Sequence, residues 1–392
     1  MSNTFDLIIL GGGCAGLSLA TRLAGNASTN LQALVVESRS HYTNDRTWCF
    51  WRTNAASGNH CAGHQWHTMR LRSGEQNVLV DCSATPYQML PSDRFYGASL
   101  TALALAKNIR LKLGTAVLAE PTKTDRGWRV TTSAGVFFGR MVVDTRPQLS
   151  PGPDGALLWQ SFYGQEIECS QPVFNPVCMD LMHFLPPDLA CVPFVYVLPM
   201  TATRALVEVT VFSTDPLHPE DLAPRLEAAV AERVGHSPFR VLRSEHGVLP
   251  MGLRNLPTHP DRSYVRAGLM AGGARSSTGF AFQRIQRWAD ACTKAVLAGA
   301  LPIGHASDPA VLQAMDHLFL KVLRVQPEKA GGLFCSLFGN ADSARVIRFL
   351  SGEGGLLDYL AVIAALPPWP FIKQLSSKRA ARDSRLAAGQ NG

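Results

Sequence analysis

The sequence contains little that would suit a membrane-spanning or disulfide-stabilised protein. Its 392 residues include no uncharged apolar run of about 18 residues, so we expect no spanning helix. The nine cysteines are scattered, odd in number and without a CxxC pair, which argues against a disulfide framework and favours a reducing cytosol. The N-terminal apolar run has no basic segment before it and no cleavage site after it, so it is expected to be a strand and not a signal peptide.

The charge and the motifs of the sequence also exclude several classes of function. The net charge of +7 is moderate, and basic residues are not interleaved with aromatic ones, so no nucleic-acid partner is predicted. His183 and His246 show no metal-ligand spacing and are interpreted as structural. No Ser-His-Asp arrangement or phosphate-binding Walker loop stands out. The sequence therefore predicts neither a metal site nor a nucleic-acid surface.

The first forty residues have the layout of a dinucleotide-binding unit. An apolar strand at residues 5–10 runs directly into a glycine-rich turn at residues 11–16. A helix-forming stretch at residues 17–23 follows, and then a second apolar strand at residues 33–36 that ends on Glu37. A glycine turn alone would be weak evidence, but strand, turn, helix, strand and acid together predict a Rossmann-type fold.

Each residue of this unit has a physical role in binding a dinucleotide. Gly11 permits the tight turn, Gly13 lets the backbone approach a pyrophosphate, and Gly16 lets helix and strand pack closely. The helix N-terminus offers free N–H groups to the anion. Glu37 is placed to accept the ribose hydroxyls of the adenosine.

Two later segments favour FAD over a plain nicotinamide cofactor. The strand 141–143 ends on Asp144, and a strand near residue 265 ends on Gly272 and Gly273, which we expect to open a helix over residues 279–297. A long flavin stretched across the sheet needs such a second glycine turn. The alternatives are an ordinary strand-to-helix connection for the two glycines and a solvated strand end for Asp144.

The rest of the chain alternates in character. Strands at residues 194–198 and 204–211 are predicted to form a hairpin, followed by a helix over residues 219–234. Apolar helices are predicted after Pro302. We therefore predict an α/β fold with a discontinuous nucleotide-binding domain, a β-rich substrate domain inserted in it, and a helical C-terminal region. The expected bounds are 1–85, 100–150 and 245–300 for the first, 86–99 and 151–244 for the second, 301–377 for the third, and 378–392 for a disordered basic tail.

Several segments, in order along nearly the whole chain, carry a resemblance to bacterial lycopene β-cyclases. They are residues 6–16, the tryptophan-rich 44–51, 142–147, 160–167, 206–210, 245–251 and 271–280. The resemblance implies a glutathione-reductase-like FAD domain, with Arg46 and Gly279 among the cofactor-binding residues. It also implies that the acyclic ψ ends of lycopene are closed to β rings, giving γ-carotene and then β-carotene. FAD would be needed in its reduced form, with NAD(P)H as the reductant, although the reaction is not a net redox change.

Glu208 is the candidate catalytic acid. It interrupts an apolar strand, where burial should raise its pKa and favour the proton-donating form. Its position is similar to the acid of the family's Glu-Glu-Thr or Glu-Asp-Thr motif, but Val209 replaces the second acid, which puts any role for that acid in doubt. The alternative is that Glu208 points outward from an edge strand.

Four aromatic residues are candidates to line a substrate tunnel, because ring faces attract cations, although packing in the core is an alternative for each. They are Trp48, Phe50, Trp51 and Tyr163.

The C-terminal region suits a peripheral enzyme on the inner face of the bacterial cytoplasmic membrane. Its helices are expected either to lie in the membrane interface or to pack on the protein core. The basic tail is either solvated or attracted to anionic lipid. Other interpretations are a monooxygenase or isoprenoid-chain reductase of the same superfamily, or a carotenoid-binding flavoprotein without turnover.

Overall fold

The computed structural model describes residues 3–26, 31–52, 63–147, 155–186, 190–254 and 258–376. Their elements follow the predicted alternation of strands and helices. In chain order they are β1 (Thr4–Leu10), α1 (Cys14–Ala24), β2 (Ala33–Val36), β3 (Thr47–Trp51), β4 (His64–Trp66), β5 (Thr68–Ser73), β6 (Gln76–Asp81), β7 (Tyr87–Pro91), α2 (Ser92–Leu105), β8 (Ile109–Lys112), β9 (Thr122–Thr124), β10 (Gly127–Thr132), β11 (Gly135–Asp144), β12 (Ala156–Cys169), β13 (Cys178–Phe184), β14 (Cys191–Pro199), β15 (Arg204–Ser213), α3 (Pro219–Val234), β16 (Phe239–Leu253), β17 (Tyr264–Arg266), α4 (Phe282–Leu297), α5 (Ala310–Val325), α6 (Ala330–Asn340), α7 (Ser343–Leu350), α8 (Leu356–Ala365) and α9 (Trp369–Ser376).

The first sheet is the predicted nucleotide-binding sheet. Its strands run in the order β8-β2-β1-β11-β10-β9, with β17 also paired to β11. The pairs β1–β2, β1–β11, β2–β8 and β11–β17 are parallel, so the carboxyl ends of these strands meet at one edge. β1 and β2 are apolar and almost wholly buried because helices and further strands cover both faces of a parallel sheet. Helices α1, α2 and α4 pack together beside it.

The second sheet has seven strands in the order β16-β12-β15-β14-β13-β5-β6. All neighbours are antiparallel except β13 and β5. Side chains alternate across β15, as the pleat requires. The residues that pack against α3 are Ala205, Val207, Val209 and Val211, whereas the opposite face carries Leu206, Glu208, Thr210 and Phe212. The two faces of one strand therefore serve an apolar core and a cavity.

The C-terminal helices are joined to the segment before α4 by a buried ion pair. Arg275 is wholly inaccessible to solvent, and its guanidinium donates to Asp316 of α5, with Nη2–Oδ1 at 3.0 Å. It also donates to the carbonyl of Phe349 in α7 and stacks over the Phe349 ring. Ser277 donates to the same Asp316 carboxylate at 2.8 Å. This network fixes α5 and α7 against the segment that precedes α4.

Several predicted elements are confirmed. The hairpin is present as β14 and β15, the helix over 219–234 as α3, and the apolar helices after Pro302 as α5, α6, α7 and α8. Two segments lie outside their predicted domains. β5 and β6, expected in the nucleotide domain, extend the second sheet because β5 pairs in parallel with the much later β13. Residues 86–99, expected in the substrate domain, form β7 and the start of α2, which packs on α1.

Among the described residues no single helix is long and apolar enough to cross a membrane, but α8 and α9 together have sufficient length and apolar composition, with a bend of 101° between them. The predicted basic tail at 378–392 lies outside the described residues.

Candidate active site

A cavity of about 720 Å³ lies where the first sheet, the second sheet and the C-terminal helices meet. One part of its wall comes from the glycine turn and the residues after β2, including Glu37 and Arg39. Another part is apolar and comes from α6 and α7, including Phe334, Phe338 and Leu350. One cavity thus extends from the glycine turn, a candidate nucleotide-binding region, to an apolar compartment lined by α6 and α7.

The glycine turn has the geometry that the sequence predicts. Gly11 has φ of +92°, a conformation that favours glycine. A methyl group on Gly16 would overlap the carbonyl oxygen of Gly11, so only glycine lets α1 approach the turn this closely. At Gly13, by contrast, no atom lies within 4 Å of the place where a methyl group would stand. The space over Gly13 at the N-terminus of α1 is open to an anion.

Glu37 is buried beside this turn. Its carboxylate accepts from Gly12 N at 2.6 Å and from Arg39 N and Nε at 2.8 and 3.0 Å. Burial opposes ionisation, but the hydrogen bonds from Arg39 and Gly12 outweigh it and lower the pKa of Glu37 below its ordinary value. Glu37 is therefore an ionised acceptor on the cavity wall, as a partner of ribose hydroxyls must be.

Asp144 is buried next to the cavity but does not line it. Its carboxylate accepts from Arg146 Nε and Nη2 at 2.9 and 2.8 Å and from Tyr264 Oη at 2.6 Å. Burial opposes ionisation, but these donors lower the pKa of Asp144. Arg146, not Asp144, lines the cavity. The strand tip acts by fixing an arginine, since the bidentate pair determines the orientation of the guanidinium.

The late glycine segment differs from its predicted geometry. Gly272 has φ of +87° and follows a short 3₁₀ turn over Leu269–Ala271, so Gly272 and Gly273 end a turn and do not open α4. Neither of the two lines the cavity, whereas Gly268 and Gly279 do. Gly273 is required for packing, because a methyl group there would stand 2.6 Å from the carbonyl oxygen of Gly268.

Gln160 provides a test of whether a long polar cofactor fits here. Its Oε1 atom is buried on the cavity wall and has no hydrogen-bond partner within the described part of the chain. A methyl group on Gly279 would stand only 2.7 Å from this oxygen. A buried unsatisfied acceptor is costly, so an additional donor belongs next to Gly279. An open cradle at Gly13 and an unsatisfied acceptor at Gln160 together fit a cofactor of flavin-dinucleotide type.

Four further predicted residues occupy different positions around the cavity. Arg46 lines it and donates from Nη1 to the carbonyl of His246 at 2.9 Å. Trp48 and Trp51 also line it. Phe50 does not, because its ring is buried against Phe282 with ring centroids 4.9 Å apart.

The prediction that Tyr163 lines the tunnel is wrong. Successive side chains of β12 point to opposite faces of the sheet, and Tyr163 packs on the apolar core beneath α3. Phe162 faces the cavity in its place.

Glu208 faces the cavity from the middle of the second sheet and is only 9% exposed. Thr210 Oγ1 donates to its Oε1 at 3.0 Å. Burial, assisted by the negative charge of Glu245, raises the pKa of Glu208 to about 8, from an ordinary value near 4.5. Glu208 therefore carries a proton at neutral pH. Val209 points away into the core beneath α3, so an acid at that position would not face the cavity.

Glu245 is a second cavity carboxylate that the sequence did not identify as functional. It is 4% exposed and accepts from Thr47 Oγ1 at 2.7 Å and from Arg243. It lies on β16, 37 positions after Glu208, and only the register of the sheet brings the two together. The one available signal was the alternation of Arg243, Glu245 and Gly247 on one face of a strand.

Comparison with solved structures shows the fold. The chain has the Rossmann-type fold of FAD-dependent enzymes. A geranylgeranyl bacteriochlorophyll reductase-like protein from Thermoplasma acidophilum is 13% identical, with a TM-score of 0.61 over 95% of this chain and 99% of that one. A p-nitrophenol 4-monooxygenase from Pseudomonas putida is 15% identical, with a TM-score of 0.59 over 93% and 98%.

Comparison with protein families is more specific than comparison of folds. The model of the lycopene cyclase protein family matches residues 6–376, so the chain belongs to that family. A lycopene beta-cyclase from Pantoea ananas is 23% identical to this chain, and the match covers 96% of this chain and 98% of that protein.

Proposed function

We propose that this protein is a lycopene β-cyclase, which closes the acyclic ψ ends of lycopene to β rings by acid catalysis without net redox change. The observation that carries the proposal is Glu208. It is a carboxyl group that keeps its proton at neutral pH, in a cavity that joins a flavin-type cradle to an apolar compartment. Family membership and the similar lycopene beta-cyclase support this substrate class.

The chemistry requires one proton delivered and one removed for each ring. Glu208 transfers its proton to the terminal double bond, which leaves a tertiary carbocation on the chain. A neighbouring double bond attacks this cation and closes the ring. The carboxylate left on Glu208 then takes up a ring proton, which forms the new double bond and restores the acid. Since one proton enters and one leaves, substrate and product are isomers. General acid catalysis is effective here because the pKa of Glu208 lies near the working pH.

The residues that would hold FAD are those of the cradle. Gly11, Gly13 and the N-terminus of α1 would hold the pyrophosphate, Glu37 the ribose, and the region around Gly279 the ring system. When bound in its reduced, anionic form, the flavin would supply negative charge near the developing cation. NAD(P)H is proposed as the source of the electrons that keep it reduced.

The cavity walls suit a hydrocarbon that becomes a cation. Trp48, Trp51 and Phe162 present ring faces or edges, and ring faces attract cations. Phe334 and Phe338 provide the apolar surface along which the unreacted polyene would lie. These residues exclude water, which would otherwise capture the cation as an alcohol.

Anaerobic turnover tests the proposal. Protein, FAD, liposomal lycopene and dithionite are incubated without oxygen, and the pigments and the flavin spectrum are then measured. The expected result is β-carotene or its one-ring intermediate, formed with the flavin still reduced. Unchanged lycopene would contradict the proposal and leave a carotenoid-binding flavoprotein. Consumption of reducing equivalents or oxygen in proportion to product would point to a reductase or a monooxygenase.

We also propose that α8 and α9 dock the protein on the inner face of the bacterial cytoplasmic membrane, where a hydrocarbon substrate is stored. Leu356, Leu360 and Ile363 recur at helical spacing on α8, and all are more than half exposed. Leu357 and Trp369 are 67% and 76% exposed. Such a surface suits the lipid interface, where apolar side chains leave water.

Vesicle binding checks this docking surface. Replacing Leu357 and Trp369 together by serine is expected to weaken binding to phosphatidylglycerol–phosphatidylethanolamine vesicles by about tenfold or more, because two large apolar groups no longer leave water. The matched control replaces Leu105 and Leu118, which are 83% and 63% exposed but lie elsewhere, and should bind as the wild type does. Equal binding by all three proteins in a flotation assay would refute the docking surface.

A further inference from the structure

Glu208 and Glu245 lie in one row across the second sheet. Glu208 on β15 is paired with Gly164 on β12, and Gly164 is in turn paired with Glu245 on β16. The residue between the two carboxylates thus has no side chain. A methyl group on Gly164 would stand 3.0 Å from the Glu208 Cβ and 3.4 Å from its Oε2, in the space that separates the two acids. The glycine leaves an open path between two buried carboxylates.

The charge of Glu245 is fixed by its neighbours. Arg243 and Thr47 both donate to its Oε2, and Arg243 also donates to Thr47 Oγ1 at 2.8 Å. Arg243 is itself held by Glu166, with Nε–Oε2 at 2.6 Å, and Arg204 pairs with the other oxygen of Glu166. Charges therefore alternate along the sheet from Arg204 through Glu166 and Arg243, and the row ends at the carboxylate of Glu245.

Three further titratable groups near Glu208 are neutral. Tyr196 of β14 is its partner on the other side and donates to Tyr87 Oη of β7 at 3.0 Å. Burial raises the pKa of both tyrosines well above the usual range, and burial also raises the pKa of Cys49 on β3. None of these three groups is charged at neutral pH.

Two groups thus bring charge to Glu208 with opposite effects. Glu245 favours its protonated form and Arg243 favours its ionised form. Arg243 is engaged by two carboxylates, so its positive charge is largely neutralised, whereas Glu245 faces Glu208 across the gap at Gly164.

We propose that Glu245 is a positioning residue for the acid: its fixed negative charge, acting across the gap at Gly164, holds Glu208 in the proton-bearing form. The two carboxyl groups then have different roles: Glu208 carries the proton, and Glu245 provides the negative charge. The effect on turnover rests on the proposed function, but the effect on Glu208 itself does not.

The sign of the pH dependence follows from the direction of the shift. Glu208 holds its proton up to pH about 8 in the folded protein. Replacing Glu245 by glutamine removes a negative neighbour and leaves Arg243 with one carboxylate fewer, and both changes favour the ionised form of Glu208. Its pKa should fall, and the alkaline limit of activity should move to lower pH.

Infrared titration of FAD-loaded protein tests this inference. The carbonyl band of the protonated Glu208 is identified by its loss in Glu208→Gln and then followed against pH. In Glu245→Gln the midpoint is expected to fall by about one pH unit or more, a tenfold loss of proton affinity. The control Glu168→Gln removes a half-exposed carboxylate of the same sheet, paired with Arg240, and should leave the midpoint unchanged.

Two further measurements keep the test decisive. Glu245→Asp keeps the charge but shortens the side chain by one methylene, so a smaller fall is expected even if Glu245→Gln does not fold. An unchanged midpoint in Glu245→Gln would overturn the inference. A fall of one pH unit or more in Glu245→Asp would overturn it as well, because that variant retains the negative charge. If wild-type protein forms no cyclic product, the proposed function fails, but the infrared result still decides the role of Glu245. If cyclisation occurs, the alkaline limb of its pH profile should shift with the infrared midpoint.

Discussion

Replacing Glu208 by glutamine is expected to lower the rate of ring closure by about 10²- to 10⁴-fold, the usual contribution of a positioned general acid. Glutamine has the same shape and can still accept from Thr210, which now donates to Glu208 Oε1 at 3.0 Å. It has no acidic proton to give to an alkene. The measurement is product per unit time under anaerobic conditions with the flavin reduced, together with flavin binding, which should be unchanged.

The control is Glu168→Gln on the neighbouring strand, which should retain full activity because that carboxylate pairs with Arg240 at a half-exposed position. Stability gives a second readout. The folded protein retains the Glu208 proton between pH 4.5 and about 8 while the unfolded chain releases it, so unfolding free energy falls as pH rises through that window. The Glu208→Gln variant should lack this component, which amounts to at most about 1.4 kcal/mol per pH unit. Retained ring closure in Glu208→Gln would remove Glu208 from the mechanism.

Alanine substitutions at two glycines of the same turn should give opposite results. At Gly16 the added methyl overlaps the Gly11 carbonyl, and backbone cannot move aside as a side chain can. We expect Gly16→Ala to destabilise the fold by about 3 kcal/mol or more, as severe overpacking does, and to lose flavin. At Gly13 the methyl meets no protein atom within 4 Å, so Gly13→Ala should fold normally. It should weaken flavin binding by at least about tenfold, or about 1.4 kcal/mol, because the methyl occupies the pyrophosphate cradle.

Denaturant unfolding and flavin fluorescence titration measure both quantities. Gly97→Ala is the matched control, since its methyl also meets nothing within 4 Å and lies on α2, outside the cavity lining. It should leave flavin binding unchanged and stabilise the helix slightly. Normal flavin affinity in Gly13→Ala would show that the pyrophosphate does not pass over this turn. Wild-type stability in Gly16→Ala would show that the close approach of α1 to the turn is not required.

The parts of the site that follow from local sequence were predictable. The first forty residues contain strand, turn, helix, strand and acid in order, and the structure has each of them. The turn, the start of α1, the end of β2 and Glu37 line the cavity. Glu208 was recognisable because a carboxylate inside an apolar strand is costly unless it is protonated or paired. Its burial is confirmed, with the raised pKa that burial causes.

The parts that depend on register were not predictable. Tyr163 was expected in the tunnel because aromatic ring faces attract cations, but the direction of a side chain on a strand changes with every residue. Glu245 joins Glu208 only through the pairing of both with Gly164. Residues 68–81 were expected in the nucleotide-binding domain but form β5 and β6 of the second sheet, because a parallel pairing between β5 and β13 leaves no local signal. The roles of Gly272 and Gly273 were misjudged because a 3₁₀ turn intervenes before α4.

Isotope counting in the product tests the central claim most directly. Protein with reduced FAD is incubated with lycopene in D₂O, where the Glu208 carboxyl exchanges, and the carotene is analysed by mass spectrometry. Acid-catalysed closure predicts one deuterium gained and one hydrogen lost for every ring, and a product isomeric with lycopene when the reaction is run in ordinary water. A cyclic product without deuterium, or any product with two extra hydrogens or an added oxygen, would contradict proton transfer from Glu208 as the chemical step.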